Sequence, residues 1–333
     1  FYDFKDKLLK QFLTDALLPS LAEAHMKGII NLQNGTFDFT QDGGRLRAFD
    51  SDDFATYQLP FEYDESATCP LFDRYLQKVV PDENSRKVLQ EFAGYIFTDL
   101  NLEKCLVLTG SGQNGKSVFF NIIKALLGSN NVLTYSMGLF EKENNRAKLT
   151  NVILNYSSEK GVDLNPDTFK ALVSGEPLQA RELYGQSFTL QNRVRFIMNC
   201  NELPKETEHT QAYFRRFIII SFDVQISEAE KDIHLAEKII ASELAGVFNW
   251  LLEGLKRLLA NDKFSYCEKS EQVLSEFRKQ TDNVALFIEE YGFEASMQKM
   301  QLSVLYQKYR SFCLDDGYRP QGKSRFSKSL ERN

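Results

Sequence analysis

The sequence predicts an α/β protein. Its expected heart is a three-layer core with a mainly parallel sheet, preceded by an α+β/helical region and followed by a small helical one. Three observations carry that expectation. Short apolar runs alternate with helical patterns from residue 102 to residue 220, as in sheets covered by helices on both faces. One of those runs stops at a glycine-rich turn, and the turn opens directly into an apolar-periodic helix. Lastly, 43% of the 333 residues are apolar and 26% charged, which supplies an ordinary globular core. No window approaches the roughly 18 consecutive apolar residues of a membrane-spanning helix.

The elements follow in chain order. Residues 3–27 carry helical periodicity, with Leu8, Leu9, Phe12, Leu13, Ala16 and Leu17 able to share a face. Asn34-Gly35, between Ile29–Leu32 and Thr36–Phe39, is a hairpin-turn signal because both residues tolerate positive φ. Residues 50–53 and 57–63 read as loops or short strands, and 71–97 as helix interrupted near Pro81. Cys105–Thr109 is a buried strand and Ser117–Leu127 a helix packing through Phe119, Phe120, Ile123 and Leu126-Leu127. Val152–Leu154, Val194–Met198 and Phe217–Ile220 are further strands, and Pro166–Val173 is a short helix. Leu178–Leu190 alternates apolar and polar positions around Gly185, which predicts a β-hairpin. Residues 233–259 read as helix, 261–270 as a linker, and 271–278, 284–290 and 302–313 as the helices of a tail with a basic final segment.

Composition narrows the function. Lys and Arg number 40 and Asp and Glu 46, for a net charge of −6, which argues against a generally basic DNA-coating protein while leaving room for a local basic groove. Cys69, Cys105, Cys200, Cys267 and Cys313 are widely separated and odd in number, and no CxxC pair exists. Neither a disulfide framework nor a zinc module is indicated, and a reducing, cytoplasmic setting is expected. His25, His209 and His234 lack the spacing of a metal pair. The chain opens on Phe1-Tyr2-Asp3 without methionine or signal segment, so a piece cut from a longer polypeptide is expected.

Chemistry concentrates at the ends of the apolar runs. Gly110-Ser111-Gly112-Gln113-Asn114-Gly115-Lys116-Ser117 satisfies the phosphate-loop pattern. Its glycines let backbone amides approach phosphates, Lys116 reaches the β- and γ-phosphates, and Ser117 holds magnesium. Average composition produces this pattern by chance about once in a hundred chains of this length. Its position between a strand and a helix makes chance less frequent still. ATP and Mg2+ are therefore the expected cofactors. Val152–Glu159 delivers Glu159 to a strand end as the carboxylate that orients water and helps with magnesium. Ser158, not a second acid, precedes it, and Asp163 stands nearby. Val194–Asn201 delivers Asn201, with Asn199 in reserve, as an amide that senses the γ-phosphate. Arg215-Arg216, just before an apolar strand, offers fixed guanidinium charge to a developing phosphoryl charge. Alone, such a pair is more often bound to neighbouring carboxylates.

Taken in order, these pieces resemble the superfamily 3 helicase domain of viral and plasmid replication proteins, in the branch related to phage P4 primase and poxvirus D5. Asn114 within the phosphate loop, Asn201-Glu202-Leu203-Pro204, and Arg215-Arg216 before a hydrophobic strand carry the likeness. Residues 30–35 and 67–70 resemble the amino-terminal domain of that branch, and 305–309 with Gly317 and Phe326 its winged-helix region. The resemblance implies an AAA+-like P-loop core over 97–262, a D5-like amino-terminal domain over 1–96 and a winged-helix-like domain over 270–333. It also implies a homo-hexameric ring hydrolysing ATP between subunits and moving on single-stranded or forked DNA, usually 3′ to 5′. Lys116, Ser117, Glu159 and Asn201 would act from one subunit, with Arg216 or Arg215 entering from the next. In that family the hairpin enters the ring channel, which makes Arg181, Tyr184 and Lys170 expected DNA contacts. Lys323, Arg325 and Lys328 of the basic tail face the DNA backbone in the same reading. Two other readings stay open: a nucleotide-gated origin-binding or loading protein with little unwinding activity, and an ATPase unconnected with DNA. A primase domain, if the parent chain has one, would lie upstream of Phe1.

Overall fold

The computed structural model describes residues 4–8, 11, 28–40, 44–53, 55, 57–159, 165–201, 210–293, 299–318 and 320–332. Residues 4–8 and 11 are helical, and the rest of the helix expected over 3–27 lies outside the described residues. Strands β1 (Ile29–Leu32), β2 (Gly35–Asp38) and β3 (Arg45–Arg47) form an antiparallel sheet. The hairpin is present, but its two-residue turn is Gln33-Asn34, one position earlier than expected, because Leu32 pairs with Gly35. Asn34 is held by the backbone of Tyr63, donating to its carbonyl and accepting from its amide, both at 2.9 Å. Gly35 lies where a Cβ would meet the Arg47 carbonyl at 2.4 Å, so glycine there serves the approach of β3.

Helices α1 (Pro70–Val79) and α2 (Glu83–Tyr95) follow, separated by Pro81. The Asp82 carboxylate caps α2 by accepting from the Ser85 amide at 2.6 Å. The central sheet then forms from β4 (Cys105–Thr109), β5 (Val132–Leu133), β6 (Leu154–Glu159), β9 (Arg195–Cys200) and β10 (Phe217–Ser221), all parallel, in the order β10-β4-β9-β6-β5. Between them come α3 (Lys116–Leu127), α4 (Glu143–Arg146), α5 (Pro166–Val173), the hairpin β7 (Leu178–Arg181) and β8 (Ser187–Leu190), and α6 (Gln211–Phe214).

The period-2 alternation of strand side chains explains the three layers. Leu106, Leu108, Ile197, Ile218 and Ile220 enter the core that contains α2 and α3. Their neighbours Cys105, Val107, Phe196, Met198, Phe217 and Ile219 enter a second core with Phe169 and Tyr213. Both faces are therefore buried, as a parallel sheet requires.

After the sheet, α7 (Leu235–Ser242) and α8 (Leu244–Asn261) divide the expected long helix at Glu243. The 262–267 stretch is a packed crossing more than a linker: Phe264 lies against the first core and Cys267 is buried. Helix α9 (Glu268–Thr281) places Leu274 and Phe277 in the second core. Helices α10 (Asn283–Glu290), α11 (Leu302–Asp315) and α12 (Lys323–Arg332) enclose a third core of Val284, Phe287, Tyr309, Phe312, Cys313 and Phe326. Among the described residues this region is helical and contains no strand, so the wing itself is not seen. No described helix is long and apolar enough to cross a membrane.

Candidate active site

The glycine-rich turn leaves β4 at its carboxyl end and is shaped by four left-handed or otherwise glycine-favouring residues: Gly110 (φ 151°), Gly112 (φ 100°), Gln113 (φ 51°) and Gly115 (φ 89°). Gly110 has no room for a side chain, since a Cβ would sit 2.0 Å from Asn114 Nδ2 and 2.5 Å from the Phe222 carbonyl. Asn114 is 3% exposed and donates to that carbonyl at 2.9 Å. The asparagine thus pins the turn to the chain just beyond β10. Lys116 is the first residue of α3 and is buried. Its ammonium donates to the Gly110 carbonyl at 2.7 Å and to Asn114 Oδ1 at 3.1 Å, and burial pushes its pKa below the ordinary lysine value. Gln113 accepts from the Ile226 amide at 3.0 Å, and Ser111 Oγ lies 3.3 Å from Gln225 Nε2.

These groups open onto a cavity of about 500 Å³ that gathers residues from five parts of the chain. Gly112–Ser117 form one wall; Ser158, Asn199 and Asn201 arrive from the ends of β6 and β9; Tyr75, Lys78 and Val79 come from α1; Glu230–Ile233 and Leu235-Ala236 complete it. The position matches the general preference for ligand sites outside the carboxyl ends of parallel strands. A larger opening of about 610 Å³ lies between Phe37, Tyr63 and α8, beside the small antiparallel sheet and away from the central parallel one.

Of the expected residues, the structure brings Gly112–Ser117, Asn199 and Asn201 to this cavity. The Asn201 side chain is exposed and lines the cavity, while Asn199 Oδ1 accepts from the buried Tyr156 hydroxyl at 3.2 Å. Glu159 ends β6 opposite Cys200, which places its backbone beside the Asn201 strand. Its side chain, Asp163 and Glu202-Leu203-Pro204 lie outside the described residues. Ser117 is exposed at the start of α3. Among the described residues no cluster of three His, Cys, Asp or Glu side chains stands ready for a metal. Magnesium is ordinarily held by one or two protein oxygens together with phosphate and water, and the exposed Ser117 hydroxyl is a donor of that kind.

The arginine pair sits at the other end of the sheet. Arg216 precedes β10, and its carbonyl accepts from the amide of Cys105, the first residue of β4. Five strand residues therefore separate the pair from the glycine-rich turn, roughly 16 Å at the usual rise. Within one chain the two groups do not meet.

In the hairpin, Tyr184 has φ 62° and is fully exposed beside the exposed Leu183. Arg181 Nε donates to the Gly185 carbonyl at 3.0 Å, and Lys170 pairs with Asp167 at 2.8 Å. Lys323, Arg325 and Lys328 are exposed on α12, which is buried at Phe326 and Ser329. Sequence reasoning missed Tyr75, Lys78, Ser158 and the 230–236 segment. In sequence, Tyr75 is simply one apolar position of an amphipathic helix, and nothing local marks its distant partner.

Comparison with known proteins covers the chain in three pieces. Residues 3–81 match the family described as D5 N terminal like, 108–216 a family of unknown function (DUF5906), and 279–333 the family described as Poxvirus D5 protein-like. A putative helicase of Acanthamoeba polyphaga mimivirus is 25% identical over 320 residues, covering 85% of this chain and 33% of that protein. A putative helicase of Invertebrate iridescent virus 3 is 22% identical over 331 residues, covering 86% and 35%. The chain thus spans about a third of the length of these relatives. Two apo structures of the NrS-1 C terminal region superpose with a TM-score of 0.50 at 16% and 14% identity, each covering 77% of this chain and 70% of the other, which shows a shared fold.

Proposed function

From its likeness to the D5-like families and to viral putative helicases, we propose that this chain belongs to the poxvirus D5-like branch of the superfamily 3 helicases and is the ATP-hydrolysing motor of a DNA replication helicase. The observation that carries the reading is the convergence of the glycine-rich turn, Lys116, Ser158, Asn199 and Asn201 on one cavity at the carboxyl edge of the parallel sheet. Backbone amides of 112–117 and the α3 amino terminus bind the phosphates. Lys116 exchanges its contacts with Gly110 and Asn114 for phosphate oxygens. Ser117, with Glu159, would hold magnesium, which would supply charge neutralisation. Glu159 orients the attacking water, and Asn201 reports the γ-phosphate to β9.

Because the arginine pair stands at the opposite sheet edge, one of the two serves the site of an adjacent copy in a ring. ATP turnover then depends on assembly. The Tyr184 hairpin and the α12 cations provide the DNA contacts, through stacking and backbone charge respectively. Movement is 3′ to 5′ on single-stranded DNA, and the domain divisions fall at 1–96, 97–262 and 270–333.

The test is ATP turnover and strand release on a labelled forked duplex by the wild-type protein and by Lys116→Ala. The variant is expected to remain folded and to lose turnover by about 100-fold or more. Full ATPase activity in Lys116→Ala removes the assigned site. ATP-dependent DNA binding without strand release by the wild type assigns a loading protein instead.

A further inference from the structure

The cavity wall contributed by α1 comes from a part of the chain that precedes the central sheet, and it is fastened at both ends. Tyr75, 5% exposed, donates its hydroxyl to the Gly115 carbonyl at 2.9 Å. Burial raises the pKa of that hydroxyl, so it stays a donor across the working pH range. The helix also presses on the same glycine: a Cβ on Gly115 would lie 2.9 Å from Val79 Cγ1 and 3.1 Å from Tyr75 Cε2. Gly115 is the residue immediately before Lys116 and takes φ 89°, so its carbonyl orientation fixes where α3 begins.

At the amino end of α1, Cys69 offers no side-chain cap. The carboxylate of Glu243 takes that place from the α7–α8 junction, accepting from the Leu71 amide at 3.0 and 3.1 Å and from the Phe72 amide at 3.0 Å. Glu243 is 6% exposed, which makes this a buried, charge-assisted cap. Near the carboxyl end, Lys78 pairs with Glu230 at 3.0 Å, and both residues line the cavity.

We propose that α1 is a strap on the glycine-rich turn, in which Tyr75 is a positioning residue for phosphate binding and Glu243 anchors the helix. The inference rests on the reading that Gly110–Ser117 binds the triphosphate. Its consequence is reciprocal: a strap that favours the bound form of the turn is itself steadied when phosphate binds. The region before β4 therefore senses whether nucleotide is present.

The experiment compares wild type, Tyr75→Phe, Glu243→Gln and Lys116→Ala in equilibrium binding of ATP and of inorganic tripolyphosphate. Tyr75→Phe keeps the ring and removes one hydrogen bond. It is expected to weaken both ligands by about threefold to tenfold, the change that one net hydrogen bond supplies. The turnover rate at saturating ATP stays within about twofold of wild type, since the reacting groups are untouched. Glu243→Gln shifts both affinities in the same direction. In hydrogen exchange, a non-hydrolysable ATP analogue slows residues 70–79 of the wild type and not of Tyr75→Phe, an effect that a purely structural hydroxyl would not produce. If Tyr75→Phe binds both ligands like wild type while Lys116→Ala loses them, the strap is wrong and the nucleotide site stands. If Lys116→Ala also binds both normally, the nucleotide reading fails and the strap falls with it.

Discussion

Arg216 is 6% exposed, and its guanidinium is occupied within its own chain. Nε and Nη2 donate to Ser174 Oγ at 3.1 and 2.6 Å, Nη1 donates to the Ala212 carbonyl, and Glu103 lies 3.3 Å away. Arg215, whose side chain is 56% exposed, pairs with Glu103 at 2.6 Å. A half-exposed pair of this kind is worth about 1 kcal/mol or less, so Arg215 is the arginine that can leave for a neighbouring phosphate. Arg215→Ala should cut turnover of the assembled protein by about 1,000-fold with an unchanged urea midpoint. Arg216→Ala should cost about 2–4 kcal/mol of folding stability, because buried acceptors lose their partner. A stable Arg216→Ala protein would reverse the assignment. Adjacent arginines look alike in sequence; only their burial separates them. Lys116 gives a second prediction at this scale. Its pKa is depressed in the folded chain by burial, so the folded state binds fewer protons than the unfolded one between that lowered value and the ordinary lysine value. The stability cost of burying its charge is fully present below this window and disappears as pH rises through it. A bound triphosphate restores the charged form, so ATP binding within the window should take up protons. Calorimetry in buffers of different ionisation enthalpy measures that uptake, and none is expected from Lys116→Ala.

Helices α2 and α8 cross so closely that glycine decides the contact. Gly254 lies within α8, where alanine ordinarily stabilises a helix by about 1 kcal/mol. Here a Cβ would stand 2.3 Å from the backbone carbon and oxygen of Gln90, and one on Gly94 would stand 2.7 Å from Leu255 Cα. Backbone cannot swing aside as a side chain does, so overpacking outweighs propensity. Gly254→Ala should destabilise by about 1–3 kcal/mol in urea unfolding, and a stabilised variant would show that the helices are free to part. The same crossing explains why the expected linker is a packed segment. Glu91, fully buried in α2, accepts from Arg257 Nε at 2.5 Å and from the Ser265 amide and hydroxyl at 2.7 and 2.5 Å. Residues 261–270 look linker-like because they are polar, and their partner lies some 170 positions earlier. Strands β1, β2, β4, β6, β9 and β10 and helix α5 are legible because each is a local apolar run or carries its own cap; Asn165 accepts from the Asp167 and Thr168 amides at 3.0 and 3.1 Å. Strands β3 and β5, three and two residues long, carry too little pattern to be read and go unpredicted. The break at Glu243 was not, because the carboxylate there serves the distant helix α1.

At the scale of the whole molecule, the glycine-rich turn, Asn199 and Asn201 could be placed on one site from sequence, since parallel strands deliver their carboxyl ends to a single edge. The arginines' location at the opposite edge also follows from order, because Arg215-Arg216 precedes its strand. What order cannot convey is the wall supplied by α1 and 226–236, which depends on how helices return across the sheet. If the two opposite edges carry complementary halves of one chemistry, as proposed, the contact between copies is heterologous, and such contacts close into rings when the rotation permits. A mixing experiment decides whether the halves are shared. Arg215→Ala subunits keep a complete phosphate loop, and Lys116→Ala subunits keep the arginine. Each is expected to be nearly inactive alone. Mixed in equal amounts and assembled on DNA, a random ring places an Arg215→Ala site against a Lys116→Ala neighbour at about a quarter of its contacts. ATP turnover should therefore recover to about a quarter of wild type if the sites fire independently. Turnover that stays at the level of the separate variants, in a mixture shown to co-assemble, would mean that each chain completes its own site and that the arginine edge serves another purpose.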